Sequence, residues 1–467
     1  MNKFLLLSFL FVSAILFSQE QDPLILNFQE YLGFVKKHHP IAKQAELTIS
    51  VGEANLLKSR GGFDPKIEVD YDRKDFKGSE YYDLLNATFK VPTWYGIELK
   101  ANFEQNEGIF LNPERTVPDE GLYSAGISVP IAQGLLINER MAALKKARLF
   151  RDQTKADRDI LVNEILYNAS LAYFNWLEAY NEKEIYQNFL INAQTRFEGI
   201  KKSALAGDKA IIDTVEAKIT VQNRQLSLEQ SKVKLMKSSL ELSNFLWIGN
   251  NIPIELQPNV IPDNDVDEVI DQTLQIQQAM ISEVDLENHP KLRSLNYKIE
   301  GLEVDRKLKA NKLLPKINLE YNFLTPSPEV ANSFNNADYK GGVTFEFPLF
   351  LRKERGAVKL AKYKIQDSQY ELASVQLQIE NKVNAITNEL DSFTTQNQLI
   401  ADIVNDYTTL LRAEERKFSF GESSVFLINS RESKLIDAEL KRNKLQNKYF
   451  STKAKLFKNL AVNPENL

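Results

Sequence analysis

The chain has 467 residues, a formal net charge of only −5 and no cysteine. The missing cysteine excludes a lipid-anchored Cys, a disulfide framework and a thiolate metal site. Nothing in the weakly acidic balance resembles the basic stripe of a nucleic-acid binder.

Met1, Asn2 and Lys3 precede an apolar run over residues 4–17, and Ser18-Gln19-Glu20 turns polar behind it, with small Ser18 suited to a cleavage. That order reads as a secretory signal peptide over residues 1–18. About 14 apolar residues cannot cross a hydrocarbon core that needs about 20. No later apolar run is long enough for a spanning helix. The exported chain is therefore either a soluble secreted protein or an outer-membrane barrel.

Residues 19–63 carry a helical pattern, ended by Gly61-Gly62 before Asp64-Pro65, a turn signal. Residues 64–134 then read as strands. Ile67, Val69 and Tyr71 alternate with Glu68, Asp70 and Asp72, and Tyr123, Ala125, Ile127 and Val129 with Ser124, Gly126 and Ser128. Such period-two segments of about ten residues, joined by long polar loops such as 112–121 and 325–339, fit membrane strands with one lipid face and one lumen face. Between them, residues 84–105 alternate twice more around Pro92-Thr93-Trp94, a hairpin pattern. So few strands cannot close a barrel alone, and open edges in lipid would leave backbone groups unpaired at several kcal/mol each. The barrel is expected to be shared between chains.

Residues 135–248 predict a long helix, a turn at Gly207 and a shorter helix over 209–247; 249–283 reads as a linker. The plan then recurs as a helix over 284–314, strands over 315–351, and a long helix, a turn at Gly421 and a shorter helix over 352–467. The long helices, 135–204 and 354–418, would each span about 100 Å, and the short ones about 60 Å. In 209–247, Ile219, Leu226, Val233, Leu240 and Trp247 recur every seven residues, as do Val221, Leu228, Leu235 and Leu242. The two stripes lie about 200° apart. Two seams on nearly opposite sides suit a helix in the wall of a cylinder, with the remainder, Gln222, Arg224, Gln225, Glu229 and Lys232, solvated.

The recurrence is ordered. His39-Pro40, Pro65-Lys66-Ile67 and Tyr71 repeat as His289-Pro290, Pro315-Lys316-Ile317 and Tyr321, all at an offset of 250 residues. Val129-Pro130-Ile131 matches Phe347-Pro348-Leu349, and Ala206-Gly207-Asp208 matches Phe420-Gly421-Glu422. The offset has fallen to 218 by Val129 and to 214 by Ala206, so the first copy holds about 32 extra residues before Val129, around 84–105. These correspondences indicate two internal repeats.

Chemistry is sparse. Of three histidines, His39 and His289 stand before prolines at equivalent helix starts, a structural position. No phosphate loop, HExxH or nucleophile elbow occurs. Acidic pairs such as Glu414-Glu415 read as solvated helix faces. The sequence gives no case for an enzyme, a cofactor or a metal site.

The two HP-led helices, the two P-K-I strand starts, the strand ends GISVPI and GVTFEFPLF, and the turns AGDKAIIDTVEA and FGESSVFLINSRES together resemble the TolC-type outer-membrane efflux protein family. The resemblance implies an α+β membrane protein: a trimeric β-barrel in outer-membrane lipid, continued by a long periplasmic α-helical barrel. The linker and chain ends would form a mixed equatorial region. It implies an exit duct for efflux or type I secretion, a homotrimer working with a periplasmic adaptor and an inner-membrane transporter that supplies the energy. Ala206, Gly207, Asp208, Phe420, Gly421 and Glu422 match the adaptor-docking turns. Family gates place acidic residues six and nine positions after the second turn glycine, where this chain has Leu427 and Ser430. Asp213 and Glu216 hold the corresponding places in the first copy, so a gate is expected from Asp213 and Glu216, with Phe418 and Leu427 as an apolar constriction. The family gives four strands per chain; the insertion would either enlarge the barrel or extend outside it. The competing reading is a secreted or surface-attached coiled-coil structural protein without a pore.

Overall fold

The computed structural model describes residues 24–276, 286–327 and 335–462. The expected signal peptide, the end of the 249–283 linker and the middle of the 325–339 loop lie outside the described residues. The chain divides into two compact units, one formed by residues 1–43, 161–284 and 381–467 and the other by 44–160 and 285–380. No described helix is long and apolar enough to cross a membrane.

The elements follow the chain as strand β1 (Leu24–Leu26), helices α1 (Phe28–His38) and α2 (Pro40–Arg60), and strands β2 (Lys66–Phe76), β3 (Ser79–Pro92), β4 (Glu98–Glu107) and β5 (Leu122–Pro130). Helices α3 (Glu139–Leu205) and α4 (Ile211–Ser243) come next, then β6 (Trp247–Ile248), β7 (Ile252–Pro253), β8 (Val260–Pro262) and helix α5 (Val266–Thr273). The remainder is α6 (Pro290–Asn311), β9 (Lys316–Thr325), β10 (Tyr339–Glu346), α7 (Arg352–Ser419) and α8 (Val425–Leu460).

The second unit is built on a six-stranded antiparallel sheet in the order β10-β9-β5-β4-β3-β2. Lys77 and Gly78, with φ of 56° and 72°, make the two-residue turn joining β2 to β3; positive φ at both positions is what matches a hairpin turn to strand twist. Register carries the alternation across the whole sheet. One cross-strand row reads Ile67, Phe89, Ala101, Ala125, Phe323 and Tyr339, and the row beside it reads Lys66, Lys90, Lys100, Gly126, Asn322 and Lys340. One face is thus apolar and the other polar on every strand. Beneath it α2 and α3 run close together, since a Cβ on Gly52 would fall 2.5 Å from Thr154 Oγ1 and 3.1 Å from Arg151 Cα. Ser294 of α6 donates to Asp157 of α3 at 2.6 Å.

The first unit is helical around an aromatic core of Phe28, Tyr31, Tyr173, Phe174, Trp176, Phe450 and Phe457, all fully buried. Its buried hydroxyls are spent on backbone: Tyr31 Oη donates to Ala169 O and Tyr173 Oη to Leu26 O. β1 pairs in parallel with β8, which ties the start of the chain to the segment after α4. On α8, Lys453 is only 3% exposed yet sits 2.9 Å from Asp271 of α5. Burial pulls its ammonium pKa down, but the hydrogen bond and charge of Asp271 outweigh this and hold it above the usual lysine value.

Three expectations need adjustment. The helical pattern of residues 19–63 breaks at His39, whose backbone is extended, because Pro40 disfavours a helical residue before it. The break has a use: His39 Nδ1 accepts the Ile41 N–H and His289 Nδ1 accepts the Lys291 N–H, each at 3.2 Å. Both histidines act as N-caps, which makes a helix start out of each His-Pro pair. Burial lowers the pKa of His39, against a smaller opposing hydrogen bond with the Asn244 backbone, and so favours the neutral ring that accepting requires. The helix expected over 209–247 is shorter, Ile211–Ser243, because Trp247–Ile248 pairs with Ile252–Pro253. Arg224 and Glu414, expected on solvated faces, are both withdrawn from solvent by partners on other helices.

Candidate functional site

The two helix turns share one backbone solution. Gly207 and Gly421 have φ of 85° and 81°, the left-handed region glycine enters without a Cβ clash. Asp208 N–H reaches back to Ser203 O and Glu422 N–H to Lys417 O, each at 3.0 Å; Gly207 and Gly421 N–H donate to Ala204 O and Phe418 O. The six-residue reach of the outer bond is that of a Schellman C-cap. Ser424 then caps α8, its Oγ accepting from Leu427 N–H, whereas α4 starts at Ala210 with no side-chain cap.

One apolar cluster sutures the two turns: Ile200 of α3, Ala217 of α4 and Val425 of α8, with Phe197 and Phe418 packed against it. The ring of Phe418, a residue expected with Leu427 in an apolar constriction, lies against this cluster, with Lys209 Nζ 4.4 Å above it. Leu427 is exposed, as are Ala206, Gly207, Asp208, Phe420, Gly421 and Glu422, while Asp213 and Glu216 are half-buried on the first turns of α4. Leu205, Ile211, Ile212, Phe420 and Phe426 together leave large apolar side chains in solvent around the turns.

Behind the turns lies a charged cluster that sequence reasoning did not anticipate. Glu432 of α8 is 0% exposed and receives Arg196 of α3 at 2.9 Å and Arg224 of α4 at 3.4 Å, each arginine 12% exposed. Arg196 also meets Glu415 of α7 at 3.4 Å. The buried Glu432 thereby links three helices, and Arg196 adds the fourth through Glu415. Nearer the turn, Ser423 Oγ donates to Glu414 at 2.6 Å. The signal was weak, because each partner stands in an ordinary charged helical stretch and the pairs are more than 200 residues apart.

The helical seams are unequal. On α4, Leu228 and Leu242 are buried within the chain, but Ile219, Leu226, Val233 and Leu240 of the other stripe are 47–59% exposed. From residue 383 to 411, α7 buries Val383, Ile386, Leu390, Phe393, Ile400, Val404 and Leu411, a strict heptad seam. It packs on α8, with Phe393 and Ile400 against Leu445, and Val404 and Leu411 beside Ile428, Leu435 and Ile436.

On the sheet, every residue of β2 and of β10 is exposed, and these are the two outer strands. The polar face is charge-compensated: Lys90 pairs with Glu68, Lys100 with Glu320 at 2.5 Å, and Lys340 with Glu104 at 3.8 Å.

Residues 281–461 match the family model described as outer membrane efflux protein. No curated protein matches. Among solved structures the chain is similar to the CmeC outer membrane channel of Campylobacter jejuni, with a TM-score of 0.63 at 12% identity, covering 93% of this chain and 85% of that one. It is similar also to the open-state MtrE outer membrane channel of Neisseria gonorrhoeae (TM-score 0.65, 11% identity, 93% and 88% covered). The outer membrane protein VceC of Vibrio cholerae gives a TM-score of 0.63 at 11% identity, with 93% and 96% covered. These likenesses establish a shared fold over nearly the whole chain.

Proposed function

We infer, on the premise that this chain resembles the TolC-type outer-membrane efflux proteins and matches that family's model over residues 281–461, that it is an outer-membrane exit duct. Three copies would close a β-barrel in the membrane and a helical tunnel in the periplasm, conducting cargo that an inner-membrane pump delivers through a periplasmic adaptor. The observation that carries this reading is a protomer left open in two ways. The sheet ends in bare strands on both sides, and one apolar seam of α4 stays in water. Backbone edges in lipid need partners, and a second seam needs a second helix. Copies of the same chain supply both.

The turns suit the adaptor. Their exposed apolar side chains, Leu205, Ile211, Ile212, Phe420 and Phe426, surround the matched residues Ala206, Gly207, Asp208, Phe420, Gly421 and Glu422 on two rigid C-caps. Such a patch favours partner association over solvation.

The native mass of detergent-extracted protein, corrected for bound detergent, tests the reading. A trimer in the outer-membrane fraction is expected; a monomer free in the aqueous fraction would replace it with the secreted coiled-coil alternative.

The proposed entrance is formed by Asp213 and Glu216, with Phe418 and Leu427 as its apolar constriction. Three copies of each carboxylate around a narrow axis would favour cations. In planar bilayers, Asp213→Asn with Glu216→Gln is expected to lower cation preference and raise the open-state fraction. Unchanged selectivity and conductance would remove these residues from the gate.

A further inference from the structure

We infer that the inserted hairpin β3–β4 is part of the membrane wall. Each chain then supplies six strands and three chains close a barrel of about 18, with the hairpin's apolar face on lipid hydrocarbon and its polar face on the lumen. This rests on the trimeric exit-duct reading.

The first support is register. β3 lies between β2 and β4, β4 between β3 and β5, and no strand of the original plan pairs past the hairpin. Removing it from the wall would break the β2–β3 and β4–β5 ladders, which hold eleven and seven paired positions. The second support is the division of faces. Leu85, Ala87 and Phe89 of β3 pair with Tyr71, Val69 and Ile67 of β2, and Phe103, Ala101 and Leu99 of β4 fall in rows with Ala87, Phe89 and Val91 of β3 and Tyr123, Ala125 and Ile127 of β5. Asn86, Thr88, Lys90, Lys100, Asn102 and Glu104 fall in the polar rows. A flap standing in water would have no reason to keep one face apolar in step with its neighbours. A residue step of about 3.3 Å makes the apolar stretch from Leu85 to Val91 about 20 Å along the strand, comparable to the apolar band of about 25 Å on membrane barrels.

The third support is how that band ends. Phe103 and Tyr123, in the row of Val69 and Ala87, have rings 4.7 Å apart across adjacent strands. Beyond them on the hairpin side come the charges Arg73, Glu80 and Asp83, with Arg73–Glu80 at 2.7 Å. Aromatic rings followed by charge mark where hydrocarbon gives way to headgroups. The fourth support lies at the opposite end of the hairpin. Its 93–97 loop is fastened to the helices: Trp94 packs on the cluster of Leu56, Leu144 and Ala147 and stacks on Phe63 at 5.6 Å. Asn138 Nδ2 donates to Trp94 O at 2.9 Å, and Arg140 pairs with Glu98 at 2.8 Å. Gly96, at φ 75°, has no room for a Cβ, which would meet Gly134 O at 2.9 Å. The hairpin is thus clamped at the junction of sheet and helices.

Barrel diameter grows about linearly with strand number, and barrels of about 16–18 strands hold an aqueous channel. An outer mouth of that width would leave size selection to the helical end.

The chain has no native cysteine, so single cysteines report cleanly. Ala87→Cys, Thr88→Cys, Ala101→Cys and Asn102→Cys place thiols on alternate faces of the hairpin, and Ala125→Cys marks the apolar face of β5. Each is reconstituted as purified protein in phosphatidylcholine vesicles, after its native mass has been measured. In the trimer, Thr88→Cys and Asn102→Cys should react at least about tenfold faster with a charged, water-soluble thiol reagent than Ala87→Cys and Ala101→Cys. A fluorophore on the latter two should be quenched by bromine-labelled lipid tails. Equal aqueous reactivity on both hairpin faces, with Ala125→Cys still protected, would put the hairpin outside the wall and overturn this inference alone. A monomeric mass, or an Ala125→Cys thiol open to water, would instead sink the exit-duct reading beneath it.

Discussion

Glu432→Ala should loosen the helix ends around both turns. The substitution leaves the guanidinium groups of Arg196 and Arg224 without the buried carboxylate that joins them, and only the exposed Glu415 beside Arg196. Removing one member of a buried ion pair costs about 3–5 kcal/mol, because the remaining charges stay desolvated. Amide hydrogen exchange should therefore accelerate by about a hundredfold or more in α3, α4 and α8 near these residues. The six-stranded sheet, which belongs to the other unit, supplies the internal reference. Glu432→Gln, with the same shape and one acceptor oxygen, should fall between. If exchange near the turns is unchanged in Glu432→Ala, the cluster contributes nothing to holding the helices together.

The second large effect is expected on α4. Leu226→Asp combined with Val233→Asp places charge on the seam that is exposed in the protomer, at 59% and 47%. Neither residue should matter to a lone chain, so far-ultraviolet circular dichroism should keep its helical signal. In a closed trimer each new carboxylate would be buried against apolar neighbours, at several kcal/mol apiece. Trimer recovered from membranes should fall by more than about tenfold. Gln222→Asp with Glu229→Asp, on the exposed polar remainder of the same helix, is the matched control and should leave recovery intact. A double seam variant that still trimerises would mean that α4 meets no second chain.

What could be read in the sequence was whatever one chain segment decides for itself. The alternation of Ile67, Val69 and Tyr71 fixes a strand with two unlike faces, because side chains on a strand alternate by geometry. His39-Pro40 and His289-Pro290 announce helix starts through the stiffness of proline and the reach of the preceding imidazole. Gly207 and Gly421 announce turns through a conformation other residues resist. Illegible were the features that depend on distant partners. Arg224 looks solvated on a helical wheel, and only folding brings Glu432 within 3.4 Å. Phe418 stands free on a helical wheel, and only folding sets Ile200, Ala217 and Val425 beside it. The hairpin in residues 84–105 was visible as two strands, yet its place between β2 and β5 needed the register of six strands at once. The proposed gate would depend on copies of the chain, which no single protomer contains.

The bare outer strands have a consequence for the life of the chain before it is assembled. A protomer whose 11-residue β2 and 8-residue β10 each leave their outer edge without a partner among the described residues is adhesive at two edges, and any extended peptide it meets is a potential wrong partner. On the trimeric exit-duct reading, correct closure needs three molecules to meet, whereas mispairing needs only two. The yield of closed barrels therefore depends on how scarce the newly exported chains are and on how fast they reach the membrane. The stability of the finished object has no value independent of protomer concentration. Overproduction would then be expected to lower the assembled fraction, by the ordinary arithmetic of mass action.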